Sequence, residues 1–335
     1  LLSGRYDVVA ANPPYMGSKN MGPMLKNYLS SHYVQGKSDL YAAFILRCRE
    51  LTMPGGRVAM VTRMIWMFAT TYINLRERIF DVSLLTSVAD LGARAFNEET
   101  ALHDEVKVAL FVLINDSKLI FENQRMLKVI RATQVAGPAA KASVLKESAL
   151  GHINATSFQI KQSDIRCLDG SPIIYWLPPA IYELLTSHDT CKECYFAVRN
   201  GIDTGNNDRF IRMRWEALPG DRWMSVSKGG GYAKWAGKDF YSVDWGCQGI
   251  RMKVAGLPGT RMQNEAYFFI PSLCYTLFAA GSLGVRLLDN STFEGLGLAI
   301  TTYTSIDRYF VQGFLNTHLV TYLLRSLSQS IKFRG

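Results

Sequence analysis

Residues 7–15 read DVVAANPPY, and this stretch decides the fold class of the first third of the chain. The apolar run at 7–11 is short and ends in loop residues, which is typical of a strand inside a parallel sheet. We therefore expect the run to be a buried strand. In open α/β sheets the ligand crevice lies at the carboxyl ends of such strands. The tetrapeptide that follows the run is accordingly predicted to lie where a ligand binds.

The four residues after the run, Asn12, Pro13, Pro14 and Tyr15, suit the activation of a planar amino group. An aromatic amine is a poor nucleophile because its nitrogen lone pair is delocalised into the ring. If the Asn12 side-chain oxygen and the Pro13 carbonyl each accept one amino hydrogen, the nitrogen can become pyramidal and attack. The prolines hold these acceptors in an extended backbone, and Tyr15 can stack on a heterocycle. Asn-Pro also starts turns and Pro-Pro also ends strands, so the motif alone leaves a purely structural interpretation open.

The residues downstream complete a βαβ unit. Residues 37–46 read KSDLYAAFIL, a helix for which Ser38 is the expected N-cap. The Pro-Gly-Gly turn at 54–56 ends that helix, and residues 57–62 are predicted to form a second strand. A further helix is expected around 72–80, and further strands near 86–90 and 106–114.

The order of an NPPY loop, a DLYxxF helix and a PGGR strand resembles the amino-methyltransferase superfamily. The resemblance implies that Asn12, Pro13, Pro14 and Tyr15 form the catalytic loop and that S-adenosylmethionine is the methyl donor. It also implies that Phe44 lines the donor's adenosine pocket together with Asn12. Tyr15 and a later aromatic, matched to Phe96, would cover the faces of the target base. Because Phe44 also lies on the apolar face of its helix, a core position fits it equally well.

The second half extends the resemblance. Residues 171–176, 198–210, 228–237 and 243–245, in this order after an NPPY half-domain, closely resemble the PglX family of BREX phage-defence systems. That family implies a site-specific DNA adenine N6-methyltransferase that flips its target adenine, with double-stranded DNA and other BREX proteins as partners. The NPPY loop alone also fits an RNA or protein-glutamine methyltransferase. A non-catalytic DNA-binding module is a further alternative.

Charge and aromatic residues are concentrated in the same half. The net charge is +9, of which +7 falls within residues 115–335. Residues 199–261 hold eleven basic against six acidic side chains, interleaved with aromatics. Charge alone favours an ordinary solvated face, whereas together with the family resemblance the pattern favours a surface that follows a phosphate backbone. The predicted DNA-binding residues are Arg209, Lys228, Lys234, Trp235 and Arg251.

The predicted fold class is α/β, with the C-terminal part of a Rossmann-like methyltransferase sheet followed by a mixed α+β target-recognition domain. We expect a partial catalytic domain at 1–114, a linker or spacer at 115–165, and the DNA-binding region at 166–335. In the superfamily a glycine-rich donor-binding loop precedes NPPY, and no such loop precedes it here. The expectation is therefore an internal fragment that lacks the first strands and is inactive alone.

The cysteines predict neither a disulfide framework nor a structural metal. His188, Cys191 and Cys194 could offer three zinc ligands, but no fourth ligand has the right spacing. Residues 266–285 carry no charge, yet proline, glycine and hydroxyl residues interrupt them, so buried strands are expected rather than a membrane span. We expect a reduced, cytoplasmic protein with no membrane partner.

Overall fold

The structure is a computed structural model that describes residues 4–96, 106–116, 126–151, 156–187, 195–217, 220, 222–279, 281–303 and 306–328. The chain divides into two compact units, Leu1–Ser187 and His188–Gly335. Each unit has its own sheet structure and buried core, and each is described by itself below.

The first unit is built on a six-stranded mixed sheet with the order β1-β2-β4-β3-β5-β6. The pairs β1/β2 and β3/β5 are parallel, and the other neighbouring pairs are antiparallel. The sheet with its helices confirms the predicted α/β class. The strands are β1 Tyr6–Ala11, β2 Thr52–Arg63, β3 Leu84–Gly92, β4 Val108–Ile114, β5 Met126–Arg131 and β6 Ser157–Lys161. The helices are α1 Pro23–His32, α2 Leu40–Glu50, α3 Ile73–Val82, α4 Pro138–Ala149, α5 Gln162–Cys167 and α6 Pro179–Thr186.

The turn between α2 and β2 differs from its prediction. Strand β2 already begins at Thr52, so the Pro-Gly-Gly segment lies inside the strand instead of before it. The segment bulges out of the ladder, because Tyr6 pairs with Thr52 but Val8 already pairs with Arg57. Gly56 is required there, since a Cβ would lie 2.7 Å from the carbonyl oxygen of Asp7.

Strand β1 was expected to be buried, but in the structure it is largely exposed. It lies at one edge of the sheet and pairs with β2 alone among the described strands. The side chain of Val8 is consequently 60% exposed. An apolar run predicts burial from composition, whereas exposure depends on which elements cover the strand.

Residues 115–165 do not form a separate linker. Strands β5 and β6 extend the sheet of the first unit, with β5 parallel to β3 and β6 antiparallel to β5. Helix α4 begins at Pro138, a residue type suited to the first position of a helix. Backbone hydrogen bonds join β5 and β6 to the sheet of the first unit, and the chain divides into its two units after Ser187.

The second unit is a mixed α+β assembly. One four-stranded sheet has the order β15-β10-β11-β9, another has the order β14-β13-β16-β7, and β12 pairs with β8. Its strands are β7 Phe196–Arg199, β8 Ile202–Asp203, β9 Ile211–Met213, β10 Trp223–Ser227, β11 Tyr241–Asp244, β12 Arg261–Met262, β13 Ser272–Thr276, β14 Val285–Leu288, β15 Thr292–Phe293 and β16 Gly297–Thr302. Its helices are α7 Asn207–Phe210, α8 Gly246–Ala255, α9 Arg308–Leu315 and α10 His318–Ser328.

The uncharged stretch at 266–285 contributes to this core. Its centre is β13, which is buried throughout between β14 and β16. Among the described residues, no helix is both long and apolar enough to cross a membrane. The described residues also contain no cluster of three or more His, Cys, Asp or Glu side chains arranged to hold a metal ion. His188, Cys191 and Cys194 lie outside the described residues.

Candidate functional site

Asn12 directly follows the end of β1 and is exposed. It lines a groove of about 510 Å³ on the sheet of the first unit, whose other walls come from β1 to β5. Asn12 and Ser87 are the polar side chains in an otherwise apolar lining. No hydrogen bond joins the Asn12 amide to another residue in the described part of the chain. The amide is therefore available to a ligand at the carboxyl edge of the sheet.

The loop after Asn12 is tied to the start of α2. The Met16 N–H donates to Asp39 Oδ1 at 3.0 Å, and the Leu40 N–H donates to the Met16 carbonyl at 3.0 Å. Asp39 is 3% exposed, and burial raises the pKa of its carboxyl while the Met16 N–H acts in the opposite direction. The prediction that Ser38 is the N-cap of α2 is wrong. Asp39 occupies that position, and its carboxylate binds the Met16 N–H of the loop.

Tyr15 continues the connection through its ring. It meets the buried ring of Tyr41 edge-on, with centroids 6.0 Å apart and planes at 83°, and Tyr41 in turn lies 5.9 Å from Tyr72. Burial raises the pKa of Tyr15, so its hydroxyl stays neutral at physiological pH. Pro13 is buried and Pro14 exposed. One face of the NPPY loop is thus fixed by packing.

Asp39 and Tyr41 contact the NPPY loop, which the sequence pattern alone did not indicate. Their signal was present in the DLY triplet, which was interpreted as a helix start. Only the contact across 23 residues between Asp39 and Met16 reveals that the same triplet holds the catalytic-loop candidate.

Phe44 is 37% exposed on α2. The buried side of the helix is formed by other residues, so the structure does not support a core position for Phe44. Phe44 also does not line the groove that contains Asn12. Its predicted contact with the donor therefore stays a prediction. The residues buried on α2 are Tyr41, Ala42, Ala43, Ile45, Leu46 and Cys48.

Phe96 is half-buried and lies just beyond β3. The turn that leads to it is fixed by Asp90, whose Oδ1 accepts from the Gly92 N–H at 3.1 Å and whose Oδ2 accepts from the Tyr175 hydroxyl at 2.6 Å. The buried Lys141 ammonium donates to the Leu91 carbonyl at 2.5 Å. Burial raises the pKa of Asp90, and the bond from Tyr175 opposes that shift. The stacking role of Phe96 stays a prediction.

In the second unit, both predicted DNA-binding arginines are exposed. Arg209 lies on the short helix α7, with its guanidinium 5.0 Å from the Phe210 ring. Arg251 lies on α8, its side chain is 58% exposed, and its Nη1 is 3.7 Å from Asp244 Oδ2. Arg222 Nη2 donates to the same carboxylate oxygen at 2.8 Å.

The two predicted lysines are engaged within the unit. Lys228 Nζ lies 4.0 Å from Glu294 Oε1 and 5.6 Å from the Tyr241 ring centroid. Lys234 Nζ donates to the Asn316 carbonyl at 2.6 Å. Trp235, beside Lys234 in the chain, is by contrast 56% exposed. The structure therefore separates two inward-bound ammonium groups from an outward-facing indole.

Comparison with known proteins identifies relatives of both units. Residues 1–96 match the family model described as Eco57I restriction-modification methylase. The adenine-specific methyltransferase PglX of Lacticaseibacillus casei (strain Zhang) is 27% identical over 99% of this chain. The adenine-specific methyltransferase BrxX of Escherichia coli O9:H4 (strain HS) is 25% identical over 99% of the chain. The expected resemblance to the PglX family is thereby confirmed.

The chain spans 29% of the length of that PglX and 27% of that BrxX. Among solved structures, the Type IIL restriction-modification enzyme MmeI in complex with DNA superposes with a TM-score of 0.57 and 12% identity. That match covers 98% of this chain and 45% of MmeI. The Type ISP enzyme LlaGI, in complex with a DNA substrate mimic, gives a TM-score of 0.54 at 11% identity, covering 97% of this chain and 33% of LlaGI. These structural matches confirm the predicted fold class.

Proposed function

We propose that this chain is part of a site-specific DNA adenine N6-methyltransferase of a BREX-type phage-defence system. In this proposal the protein uses S-adenosylmethionine as methyl donor, double-stranded DNA as substrate and other BREX proteins as partners. The observation that carries the proposal is the exposed, unengaged amide of Asn12 at the carboxyl edge of the sheet, on a loop anchored by Asp39. The similarity to PglX and BrxX across nearly the whole chain supports the adenine-specific assignment.

The chemistry required of the protein is mostly positioning. S-adenosylmethionine, when bound, supplies an activated methyl group on a sulfonium centre. Asn12 Oδ1 and the Pro13 carbonyl would accept the two hydrogens of the adenine amino group, which localises the nitrogen lone pair. Both acceptors precede a proline, so their backbone is stiff before the substrate arrives. Because a sulfonium methyl group is already activated, these residues would need only to position the amino nitrogen, and the surplus proton of that nitrogen can leave to water after the transfer.

The aromatic rings that would contact the donor and the target base are assigned from the resemblance to the amino-methyltransferase superfamily. Tyr15 would stack on one face of the adenine, with its own orientation set by the edge-on contact with Tyr41. Phe96 would cover the other face, and Phe44, exposed on α2, would contact the donor together with Asn12. An adenine inside a duplex cannot reach such a pocket, so the base must first be flipped out of the stack.

The second unit is proposed as the part that recognises the DNA target. Arg209 and Arg251 are exposed cations suited to phosphate contacts. The ammonium groups of Lys228 and Lys234 are bound inside the unit. These lysines would therefore contribute to the positive potential without contacting a phosphate directly. Trp235 is the exposed aromatic of the set. A reaction on chromosomal DNA would place the protein in the cytoplasm.

The first test compares the methylomes of hosts that carry the intact gene encoding this sequence or its Asn12→Ala form. We expect N6-methyladenine at one short motif with the wild-type gene and at least a hundredfold less with the variant, since removing one preorganised hydrogen-bonding group typically lowers kcat by 10²–10³. Asn27→Ala, which alters an exposed asparagine on α1, is the matched control and should methylate like the wild type.

The outcomes separate the alternatives. Methylation that persists in Asn12→Ala at the wild-type level would disprove the catalytic assignment. Genomes unmethylated in both strains would disprove the DNA methyltransferase. If the purified intact protein then transferred methyl groups to RNA or to a protein glutamine, that activity would replace the DNA methyltransferase assignment.

A further inference from the structure

Trp235 has a backbone conformation that few tryptophans adopt. Its φ is +72°, in the left-handed region that a bulky side chain disfavours. The three glycines at 229–231, which precede it closely, also have positive φ values of 75°, 87° and 65°. Glycine adopts such values without strain, whereas Trp235 does not.

Three hydrogen bonds fix this conformation. The Trp235 N–H donates to the Val285 carbonyl at 3.0 Å, and the Trp235 carbonyl accepts from the Leu287 N–H at 2.9 Å. The same carbonyl accepts from Nε2 of Gln312 at 2.7 Å, and Gln312 is 4% exposed. The backbone is therefore bonded on both sides to β14 and α9, and the surrounding structure imposes the strained φ.

The strain is not offset by burial of the indole. Phe269 offers a comparison within the same unit, since its φ is +64° and its ring packs against the hydrophobic cluster that contains Trp245. Burial of that ring gives Phe269 a structural reason to be aromatic. The Trp235 side chain is 56% exposed, so stability alone favours glycine at this position.

We propose that Trp235 is a preorganised stacking residue, held so that its indole packs against a base face that opens when the bound DNA is distorted. The inference rests on the proposed function and deepens it. Flipping a base removes its ring from the stack and leaves the faces of its neighbours exposed, and aromatic or apolar wedges stabilise such openings. Because the backbone of Trp235 is fixed in advance, only side-chain freedom is lost on binding.

The surroundings of Trp235 favour nucleic acid over protein as its partner. Residues 228–238 read KGGGYAKWAGK. The ammonium groups of Lys228 and Lys234 are bound within the unit, whereas no hydrogen bond or ion pair joins the Lys238 ammonium to another described residue. Gly230 is open, since a Cβ there would meet nothing within 4 Å. Basic residues around an exposed aromatic are the combination that binds a phosphate backbone while stacking on its bases.

The test measures DNA affinity of the intact protein over a series of salt concentrations, on a duplex oligonucleotide carrying the motif identified by methylome sequencing. Trp235→Gly removes the ring and releases the strained φ. We expect it to weaken binding at least fivefold while leaving the slope of log K against log salt unchanged, because stacking releases no counterions. We also expect its thermal midpoint to be equal to or higher than that of the wild type.

Two further variants serve as controls. Trp235→Phe keeps an aromatic ring and should retain most of the affinity. Trp215→Ala removes a 70% exposed tryptophan whose φ is not left-handed, and it should bind like the wild type.

Wild-type affinity in Trp235→Gly, or a reduced salt slope, would overturn the stacking role while leaving the methyltransferase proposal intact. A lowered thermal midpoint in Trp235→Gly would overturn it as well, since the residue would then be structural. An intact wild-type protein that binds no duplex DNA would overturn both proposals.

Discussion

Glu294 is a carboxylate enclosed in the second unit, at 6% exposure. Its Oε1 lies 4.0 Å from Lys228 Nζ, and its Oε2 has no hydrogen-bond partner among the described residues. Burial raises the pKa of this carboxyl, Lys228 lowers it and Asp203 raises it further. The free-energy cost of removing the Glu294 charge from water therefore exceeds the stabilisation of that charge by the Lys228 ammonium.

This balance predicts a pH dependence of stability. Because the folded state raises the pKa of Glu294, it favours the protonated form; this stability is fully present below the unfolded carboxyl pKa, near 4.5, and is lost as the pH rises through the folded value. Glu294→Gln stays neutral throughout. We expect the variant to match the wild type in thermal midpoint at pH 4 and to exceed it at pH 7.

Thermal midpoints measured between pH 4 and 8 test the prediction. A variant less stable than the wild type at pH 7 would mean that the ion pair with Lys228 outweighs the burial of the charge.

At the scale of elements, the important connection joins the loop after β1 to the start of α2. One buried carboxylate, on Asp39, accepts the Met16 N–H, and the Met16 carbonyl accepts the Leu40 N–H. Pro13 and Pro14 restrict the backbone next to Asn12, and Asp39 restrains the same loop through its hydrogen bond with Met16. The candidate catalytic amide of Asn12 thus depends on a helix that begins at Leu40, 28 residues later in the sequence.

Asp39→Ala should release this loop. It leaves the Met16 N–H without its buried acceptor, at a free-energy loss of about 1–3 kcal/mol. We expect amide hydrogen exchange at residues 15–20 to accelerate by about tenfold, with α3 unchanged. Asp39→Asn retains an oxygen acceptor and should show a smaller acceleration. Equal exchange in all three proteins would contradict the anchoring role.

At the scale of the whole molecule, the chain contains two units with separate cores. The second unit holds two hydrophobic clusters of its own, one around Phe210 and Phe293 and another around Leu273 and Val285. A unit of 148 residues with such cores lies within the size range of independently folding domains.

We therefore expect residues 188–335, expressed alone, to fold and to unfold in one cooperative thermal transition. Near-ultraviolet circular dichroism and calorimetry measure this directly. A broad, non-cooperative transition with no aromatic signal would show that the second unit requires the first, and the boundary after Ser187 would then not delimit a domain.

The local sequence pattern was sufficient to predict much of the secondary structure of the first unit. Helix α3 and strands β3 and β4 lie close to their predicted positions, and β2 contains the predicted residues 57–62, because apolar runs act within a few residues. The NPPY and DLYxxF motifs were visible for the same reason. The family resemblance that these motifs carried is confirmed by the similarity to PglX and BrxX.

The sequence by itself thus determined the α/β class, the order of the catalytic-loop candidate and its helix, and the basic, aromatic-rich character of the second half. Only the tertiary structure decided that β1 lies at an edge, that β5 and β6 belong to the first sheet, and that Asp39 holds Met16. It likewise directed Lys234 inward and Trp235 outward. The physical reason is that burial and hydrogen bonding at these positions are set by partners 23 to more than 80 residues away, which local propensity cannot encode.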